Sequence, residues 1–383
     1  MKKVLFVTST LNIGGAQKVV SNLVCNLNDD FDVDILLNND KEVVYPYRGR
    51  LISLNIKPKE NKRSLLYQIK VFFKRYKKLK ELKSEGNYEA CISFLDSANI
   101  ANIFSGKKTK VILSVNSSLK NAKSSLYYKL LVNPMVRFLY NKADKVVAVS
   151  RGIGNELSEY FGIKKEKIEV IENGVDLANV RKKAEEKTTK KFNELINNKK
   201  VIVTSGRLDD SKGQWHLIRA FNELSKKRDN VLLLILGKGP LLKYLKSIVQ
   251  GYKIEDKVIF IGFRENPFSI ISKADVFVMS SLWEGFPLAL SEAICLGLPC
   301  IATRFETGSR ELLEPDYGIL TPLCSGKKYD YSTPLEQAEI ELASAMEKML
   351  FDNDVHDYYL KKSLERAKTL DIKYSVEMWE KLF

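Results

Sequence analysis

The chain has 383 residues, of which 45% are hydrophobic and 28% are charged, and it carries a formal net charge of +15. This composition excludes a disordered or fibrous protein, and the length is enough for two ordinary domains with separate cores. No apolar run reaches the roughly 18 residues of a membrane span. The first apolar run, residues 4–7, is shorter than the about 7–15 residues of a signal-peptide core. We therefore expect a cytoplasmic protein.

The first part of the chain alternates short apolar strands with amphipathic helices, and the first helix follows Gly14 and Gly15. Such alternation predicts a mostly parallel sheet that is covered on both faces. The predicted strands lie at residues 2–9, 31–38, 89–95, 109–116 and 143–150.

The cations are concentrated in this first part: residues 1–180 contain 30 lysines and arginines against 18 acids, which is +12 of the total charge. Residues 62–83 interleave nine cations with apolar residues three and four positions apart, which predicts a basic amphipathic helix. It is either an ordinary domain helix with its lysines in water, or a surface for anionic lipid headgroups or a lipid-linked diphosphate. The cations assigned to the second alternative are Lys70, Lys74, Arg75, Lys77 and Lys78.

A charged segment at residues 177–200 predicts one helix that connects two domains. The strand–helix pattern then restarts as a doubly wound unit, which binds ligands outside the carboxyl ends of its strands. Two such units facing each other form a cleft. The predicted strands of the second unit lie at residues 200–208, 230–239, 257–263, 275–281 and 299–303.

Polar and glycine residues follow several of these strands. Arg207 and Lys212 are two cations before a helix and suit a diphosphate, although a single basic residue at such a place is more often a solvated surface charge. Gly237 permits a close approach of the backbone to a ligand. The turn after the third strand holds Arg264, Glu265 and Asn266.

Two acids lie eight residues apart around a Gly-Phe-Pro corner. Glu284 is in the loop, and Glu292 is about one turn inside a helix that begins near Pro287, since proline suits the first turn. The start of that helix favours an anion through its free N–H groups and its dipole. Both acids can therefore face the same cleft from different heights.

The order of these motifs is specific: Gly-Arg-Leu, Lys-Gly five residues after the arginine, Gly-x-Gly, then two glutamates eight apart. Over nearly the whole chain it resembles the retaining glycosyltransferases of the GT-B fold, which include phosphatidylinositol mannosyltransferases and many bacterial glycan assembly enzymes. The resemblance implies an α/β fold of two doubly wound Rossmann-like domains facing across a cleft. Residues 1–174 with a returning helix at 366–383 would bind the acceptor, and residues 175–365 the nucleotide sugar.

The resemblance also implies how the donor is held. Arg207 and Lys212 would neutralise its diphosphate, and Gly15 would approach it by backbone from the other domain. The backbone of residues 264–266 would hold the base, with Gly237 close by.

The resemblance further implies that the two acids accept hydrogen bonds from hydroxyl groups of the donor. Glu292 would bind the ribose, and Glu284 the transferred sugar. The backbone groups that would assist Glu284 belong to Phe286, Pro287 and Leu288. A hydrolase pair is a different arrangement, because its carboxylates flank a single glycosidic bond at a fixed separation.

One position departs from the family pattern. Many relatives have a histidine at the end of the fourth strand, where this chain has Asn116. Asn116 cannot act as a base, but its amide can hydrogen-bond a sugar hydroxyl. His216, expected to be a packing or surface residue, and His356 are not placed to substitute. The family's reaction is usually pictured as a front-face displacement in which the donor phosphate takes the acceptor proton, so the loss of histidine need not abolish it.

No metal or cofactor is expected. Asp32 and Asp34 have the spacing of a metal-binding pair but fit alternate positions of a strand. The cysteines lie far apart without a CxxC pair, and with only two histidines they predict buried thiols and no zinc set. The cysteines are Cys25, Cys91, Cys295, Cys300 and Cys324.

The predicted function is therefore a retaining, metal-independent transferase of a hexose or N-acetylhexosamine from a nucleotide sugar, UDP-linked, to a glycan acceptor in surface polysaccharide or glycan biosynthesis. The segment at residues 90–108 also resembles transferases that extend undecaprenyl-diphosphate-linked glycans, so the acceptor is expected to be lipid-linked and the enzyme peripheral on the inner face of the cytoplasmic membrane. The alternatives are a GT-B-fold sugar-nucleotide epimerase, which needs acid/base side chains in the cleft, and an inactive membrane scaffold. Nucleic acid is not an expected partner, because no binding motif is visible and the basicity is concentrated in one helix.

Overall fold

The computed structural model describes residues 1–41, 43–57, 65–106, 108–120 and 132–383. The chain divides into two compact units, Met1–Gly174 with Ile372–Phe383, and Val175–Asp371. The sequence placed the returning segment from residue 366 onward, whereas residues 366–371 group with the second unit.

The first unit is built on a seven-stranded parallel sheet with the order β3-β2-β1-β4-β5-β6-β7. Its strands are β1 (Lys2–Val7), β2 (Phe31–Leu37), β3 (Arg50–Ser53), β4 (Ala90–Phe94), β5 (Lys110–Val115), β6 (Lys145–Ala148) and β7 (Ile168–Val170). Its α-helices are α1 (Gly15–Asn26), α2 (Leu65–Glu85), α3 (Asp96–Phe104), α4 (Asn133–Leu139), α5 (Arg151–Asn155) and the returning α15 (Ile372–Glu380).

The second unit has a six-stranded parallel sheet with the order β10-β9-β8-β11-β12-β13. Its strands are β8 (Lys200–Ser205), β9 (Val231–Leu236), β10 (Val258–Gly262), β11 (Val276–Met279), β12 (Cys300–Thr303) and β13 (Ile319–Thr321). Its helices are α6 (Leu177–Ala184), α7 (Lys190–Ile196), α8 (Gln214–Lys227), α9 (Leu242–Tyr252), α10 (Phe268–Ile271), α11 (Leu288–Cys295), α12 (Ser309–Leu313), α13 (Gln337–Phe351) and α14 (Asn353–Ala367).

The first six strands of both units follow the same doubly wound order, so the predicted α/β class is confirmed. Strands such as β4 and β9 are buried at every residue, because helices cover both faces of a parallel sheet. The edge strands β3, β7 and β13 were not predicted. They have four, three and three residues, too few to show a periodic pattern.

Two expectations about local structure were wrong. The segment predicted as one helix at 177–200 is two helices, because the side chain of Thr189 caps a new helix by accepting a hydrogen bond from the N–H of Phe192 at 3.3 Å. Threonine favours this capping position over a helix interior. Cys25 is exposed, whereas the other four cysteines are buried as predicted. It lies on α1, where the neighbouring Val24 is buried and Cys25 is on the other side of the helix.

Asp34 belongs to β2, as expected of a strand position, and its carboxylate is buried. Arg50 binds it through two nitrogens at 3.0 and 2.7 Å, Lys3 lies 3.4 Å away, and the hydroxyl of Tyr88 donates to it. Burial by itself raises the pKa of Asp34, but the hydrogen bonds from Arg50 and Tyr88 and the charge of Lys3 outweigh it and lower the pKa. The carboxylate is therefore more acidic in the folded chain than in the unfolded one.

Asp34→Asn is expected to reduce the free energy of unfolding at pH 7 by about 1–3 kcal/mol, since its partners lose a charged acceptor. A lowered carboxyl pKa contributes stability that is present above the unfolded value of about 3.9 and is lost as pH falls through the folded value. Urea unfolding at pH 7 and near pH 3 should therefore show a difference that shrinks in acid. Asp32→Asn, on the same strand, is the control; an equal loss in both variants would contradict the prediction.

Candidate active site

The segments predicted to hold the donor follow four neighbouring strands of the second sheet. The order β10-β9-β8-β11 places the carboxyl ends of these parallel strands side by side. Residues 206–213 follow β8, 237–239 follow β9, 263–266 follow β10 and 280–287 follow β11. Fragments separated by long stretches of sequence therefore share one edge of the second unit.

Lys212 and Glu284 meet at this edge. The Nζ of Lys212 donates to Oε1 of Glu284, and the hydroxyl of Ser281 donates to the same oxygen at 2.9 Å. Their side chains are only 19% and 15% exposed. The structure thus couples the cation predicted for the diphosphate directly to the acid predicted for the sugar.

Arg207 lies in the same loop but remains 74% exposed on its side chain. Its guanidinium binds the carboxylate of Asp209 at 2.8 and 2.6 Å. Asp209 in turn accepts hydrogen bonds from the N–H and hydroxyl of Ser211 at 3.1 and 2.7 Å. Asp209, which the sequence analysis did not select, therefore orients Arg207 and shapes the loop.

Gly237 is required by the close approach of two loops. Its φ is +136°, and a Cβ at this position would lie 1.8 Å from the carbonyl oxygen of Gly206. Only glycine fits such a backbone and such a contact. The loop after β9 is therefore held against the loop that carries Arg207.

The turn after β10 exposes Arg264 and Glu265, while Asn266 is half-buried. The side chain of Asn266 donates to the carbonyl of Lys183 at 2.8 Å and accepts from the N–H of Phe268 at 3.0 Å. These bonds hold the turn in shape and commit the amide to the protein. The prediction that the backbone of this turn holds the base therefore does not depend on the Asn266 amide.

The Gly-Phe-Pro corner leads into α11, where Phe286 and Pro287 are buried and Leu288 is half-buried. The N–H of Leu290 bonds back to the carbonyl of Pro287 at 3.0 Å, which starts the helix at the predicted place. Glu292 lies one turn inside α11 and is buried. Glu284 and Glu292 thus sit in different surroundings, one in a loop at the sheet edge and the other within a helix.

Two predicted residues belong to the first unit. Gly15 is exposed and is the first residue of α1. Asn116 directly follows β5, and its Nδ2 donates to the hydroxyl of Ser114 at 3.0 Å. Its Oδ1 is buried and has no hydrogen-bond partner among the described residues. This oxygen can accept a hydrogen bond from a ligand hydroxyl that reaches it.

The predicted basic helix is present as α2, but two of its cations face inward. Arg75 is 1% exposed and donates to the hydroxyl of Ser97 at 2.9 Å and to Oδ1 of Asn38 at 2.7 Å. Burial lowers its pKa to about 10. Lys83 is also buried. Arg75 was therefore wrongly assigned to the surface that meets acceptor or membrane.

The other assigned cations of α2 stay at the surface. Lys70, Lys74 and Lys77 are exposed, and Lys78 is half-buried and contacts Glu81. Lys62 and Arg63, which the sequence included in the helix, lie outside the described residues. Within the described part of the chain, no helix is both long and apolar enough to cross a bilayer.

A buried polar cluster behind α8 was missed by the sequence analysis. His216 is fully buried, its Nδ1 lies 2.7 Å from Glu339, and Arg219 donates to the same carboxylate at 2.8 Å. Ligand-type atoms of His216, Cys324 and Glu336 lie within 4.8 Å of one another, although sequence spacing suggested no such set. Because Arg219, on α8, also donates to the carbonyl of Pro334 at 2.8 Å, the cluster fastens the segment before α13 to α8.

Comparison with known proteins decides the family. The models described as "Glycosyltransferase Family 4" and "Glycosyl transferases group 1" match residues 13–179 and 185–329. A glycosyltransferase of Methanocaldococcus jannaschii is 31% identical over 351 residues, which cover 84% of this chain and 86% of that protein. The chain is a glycosyltransferase with a family 4 domain followed by a group 1 domain. The predicted glycosyltransferase family is thereby confirmed.

Another relative of this glycosyltransferase comes from Campylobacter jejuni. It is named N-acetylgalactosamine-N,N'-diacetylbacillosaminyl-diphospho-undecaprenol 4-alpha-N-acetylgalactosaminyltransferase. It is 29% identical over 383 residues, which cover 97% of this chain and 96% of the relative. The two proteins are therefore similar over essentially their whole lengths.

Solved structures show the fold of the glycosyltransferase. Anabaena HepE in complex with UDP superposes with a TM-score of 0.74 over 100% of this chain and 99% of its own, at 18% sequence identity. The shared fold is GT-B, with one parallel α/β sheet in each of its two domains.

Proposed function

We propose that this glycosyltransferase moves a hexose or N-acetylhexosamine from a UDP-linked sugar to a lipid-diphosphate-linked glycan, with retention at the anomeric carbon. The observation that carries the proposal is the contact between Lys212 and Glu284 where four parallel strands end. The residue that would bind the diphosphate and the residue that would bind the sugar hydroxyls are in direct contact there. The Campylobacter jejuni relative is named for a diphospho-undecaprenol substrate, which supports the choice of acceptor, and the UDP complex of HepE supports the choice of nucleotide.

The charges at this edge suit the leaving group. Lys212 is largely shielded from water, which strengthens its interaction with a nearby anion. Arg207 is exposed and can turn from Asp209 to a diphosphate, where two guanidinium nitrogens can bind two oxygens. We therefore assign both cations to the diphosphate, the first N–H groups of α11 to the same region, and the backbone of residues 264–266 to the base.

Retention follows if the acceptor attacks from the face that the diphosphate leaves. The bond between the anomeric carbon and the diphosphate oxygen breaks as the acceptor oxygen bonds to that carbon, and the acceptor proton passes to the departing diphosphate. Arg207 and Lys212 stabilise the negative charge that develops on the leaving group. Glu284 accepts hydrogen bonds from the sugar hydroxyls, Glu292 from the ribose, and Asn116 hydrogen-bonds a hydroxyl without acting as a base. We propose that this reaction needs no metal.

A lipid-linked acceptor places the reaction at a membrane. The exposed lysines of α2 and the +12 charge of residues 1–180 support an anionic bilayer as the partner surface. We accordingly propose that the enzyme works in the cytoplasm, peripherally on the inner face of the membrane, in surface polysaccharide or glycan biosynthesis.

The test is to measure nucleotide binding by thermal shift and by calorimetry. UDP and UDP-hexoses should raise the unfolding temperature with EDTA present, because a ligand that binds only the folded state stabilises it. Arg207→Ala and Lys212→Ala should each weaken binding by about 1.5–3 kcal/mol, the range for hydrogen bonds to charged groups. Lys348→Ala, at an exposed lysine in the last turn of α13, is the matched control.

Two results would contradict the proposal. Binding that requires a divalent metal would remove the metal-independent mechanism, and normal binding by both variants would misplace the diphosphate. The configuration of the product tests retention separately, since an inverted product excludes front-face attack.

A further inference from the structure

We propose that an apolar patch on α2 and α3 inserts into the interfacial region of an anionic lipid bilayer. The patch consists of Leu66, Ile69 and Phe73 on α2 and Phe104 on α3, which are 80%, 42%, 54% and 48% exposed. The ring of Phe72 joins its two parts, with its centroid 5.6 Å from that of Phe73 and 6.1 Å from that of Phe104. This inference rests on the proposed lipid-linked acceptor for its biological meaning and on the surface itself for its physics.

The helix cannot hide this patch by turning over, because its other side is fastened to the first unit. Val71 and Leu79 are buried there, and so are the cations Arg75 and Lys83. The guanidinium of Arg75 bonds to Ser97 and Asn38, and Lys83 donates to the carbonyls of Asn102 and Gly106 at 2.8 and 3.0 Å. Rotation of α2 would break these bonds and leave buried polar groups unpaired.

The arrangement departs at several positions from what a helix that only covers a sheet requires. Such a helix places its large apolar residues inward and its cations in water. Here two cations point inward and three large apolar residues point outward. Contiguous exposed apolar side chains of this kind mark a surface for a protein or a membrane.

The charges beside the patch select the membrane. Lys70, Lys74 and Lys77 are exposed on the same stretch of α2, and residues 65–80 contain no aspartate or glutamate. A helix with apolar side chains flanked by lysines binds the boundary between acyl chains and anionic headgroups. A second copy of the chain fits less well, because the same lysines would face each other across the interface.

The experiment is flotation of the full-length protein with vesicles of phosphatidylglycerol and phosphatidylethanolamine, without donor or acceptor. The wild type should float with these vesicles at low salt. Leu66→Gln, Ile69→Gln and Phe73→Gln combined should lower the partition coefficient at least about tenfold, because glutamine keeps the helix but removes the apolar surface. Matched exposed apolar residues, changed as Ile340→Gln, Leu364→Gln and Met378→Gln, should leave binding unchanged.

Salt separates the two contributions of the surface. Lys70→Gln, Lys74→Gln and Lys77→Gln combined should weaken binding at low salt, and high salt should mimic this effect in the wild type, because salt screens exposed charges. Binding that remains in the wild type at high salt should vanish in the apolar variant. Circular dichroism and unfolding temperatures equal to those of the wild type verify that each variant is folded.

Three results would overturn the inference: a wild type that does not bind the vesicles, a folded apolar variant that floats like the wild type, and a wild-type oligomer that dissociates in the apolar variant, since the patch would then cover a second copy. A wrong proposal for the acceptor would give a different result. Vesicle binding would persist and depend on the patch, while a lipid-linked glycan would not be extended.

Discussion

Glu284→Gln is expected to lower kcat at least about tenfold while UDP binds at least as tightly as to the wild type. A tenfold loss corresponds to about 1.4 kcal/mol of transition-state stabilisation. Glutamine keeps the size of the side chain and an oxygen for Ser281, but it removes the charge that accepts hydrogen bonds from the sugar hydroxyls. Steady-state kinetics with the UDP-sugar and calorimetry with UDP measure the two quantities separately.

The affinity part of this prediction comes from the structure. In the wild type, Lys212 contacts Glu284, so a diphosphate competes with that carboxylate for the ammonium group. The substitution removes the competitor, and Lys212 then meets the diphosphate without first losing an ionic partner. A combined Lys212→Ala and Glu284→Gln variant should therefore show non-additive changes in UDP affinity, as coupled neighbours do.

The matched control is Glu255→Gln, at an exposed acid in the turn before β10. It should change neither kcat nor UDP affinity. An unchanged kcat in Glu284→Gln would remove the sugar contact from the proposal. A parallel fall of kcat and UDP affinity would move Glu284 to the nucleotide.

Gly237→Ala is expected to reduce the free energy of unfolding by about 2–4 kcal/mol and to weaken UDP binding at least about tenfold. Part of the loss is backbone strain, because a non-glycine residue in a disfavoured φ/ψ region costs about 1–3 kcal/mol. The rest is steric, because the new Cβ would lie 1.8 Å from the carbonyl oxygen of Gly206. Relief of this clash moves the loop that holds Arg207 and Lys212, which is why UDP binding should fall as well.

Gly162→Ala separates strain from clash. Gly162 has a φ of +69°, but a Cβ there would meet nothing within 4 Å. The free energy of unfolding should fall by about 1 kcal/mol, and UDP binding should not change, since Gly162 lies outside the segments assigned to the donor. Urea unfolding of both variants gives the comparison. Equal losses would show that the loops at Gly206 and Gly237 separate without cost.

Much of the proposed donor site could be predicted from sequence because it is built from strand ends. The segments at Arg207, Gly237, Arg264 and Glu284 each follow a strand with a clear apolar pattern. Parallel strands bring their carboxyl ends to one edge, so the order of the motifs was enough to group them. The partners of these residues were not visible in the same way: Asp209 looked like an ordinary loop acid beside Arg207.

The sequence by itself determined the two doubly wound units, the family and the segments that line the sheet edge. These depend on local periodicity and on a rule that holds for every parallel sheet. Only the tertiary structure decided which side of α2 faces inward, since cations and aromatic residues interleave along it and either side fits a helical pattern. It placed Arg75 inside and Phe73 outside. It also decided the contact of Lys212 with Glu284, 72 positions apart, and of His216 with Glu339, 123 positions apart. Such pairs form only when the strands and helices that carry them have packed, and no pattern within one element encodes them.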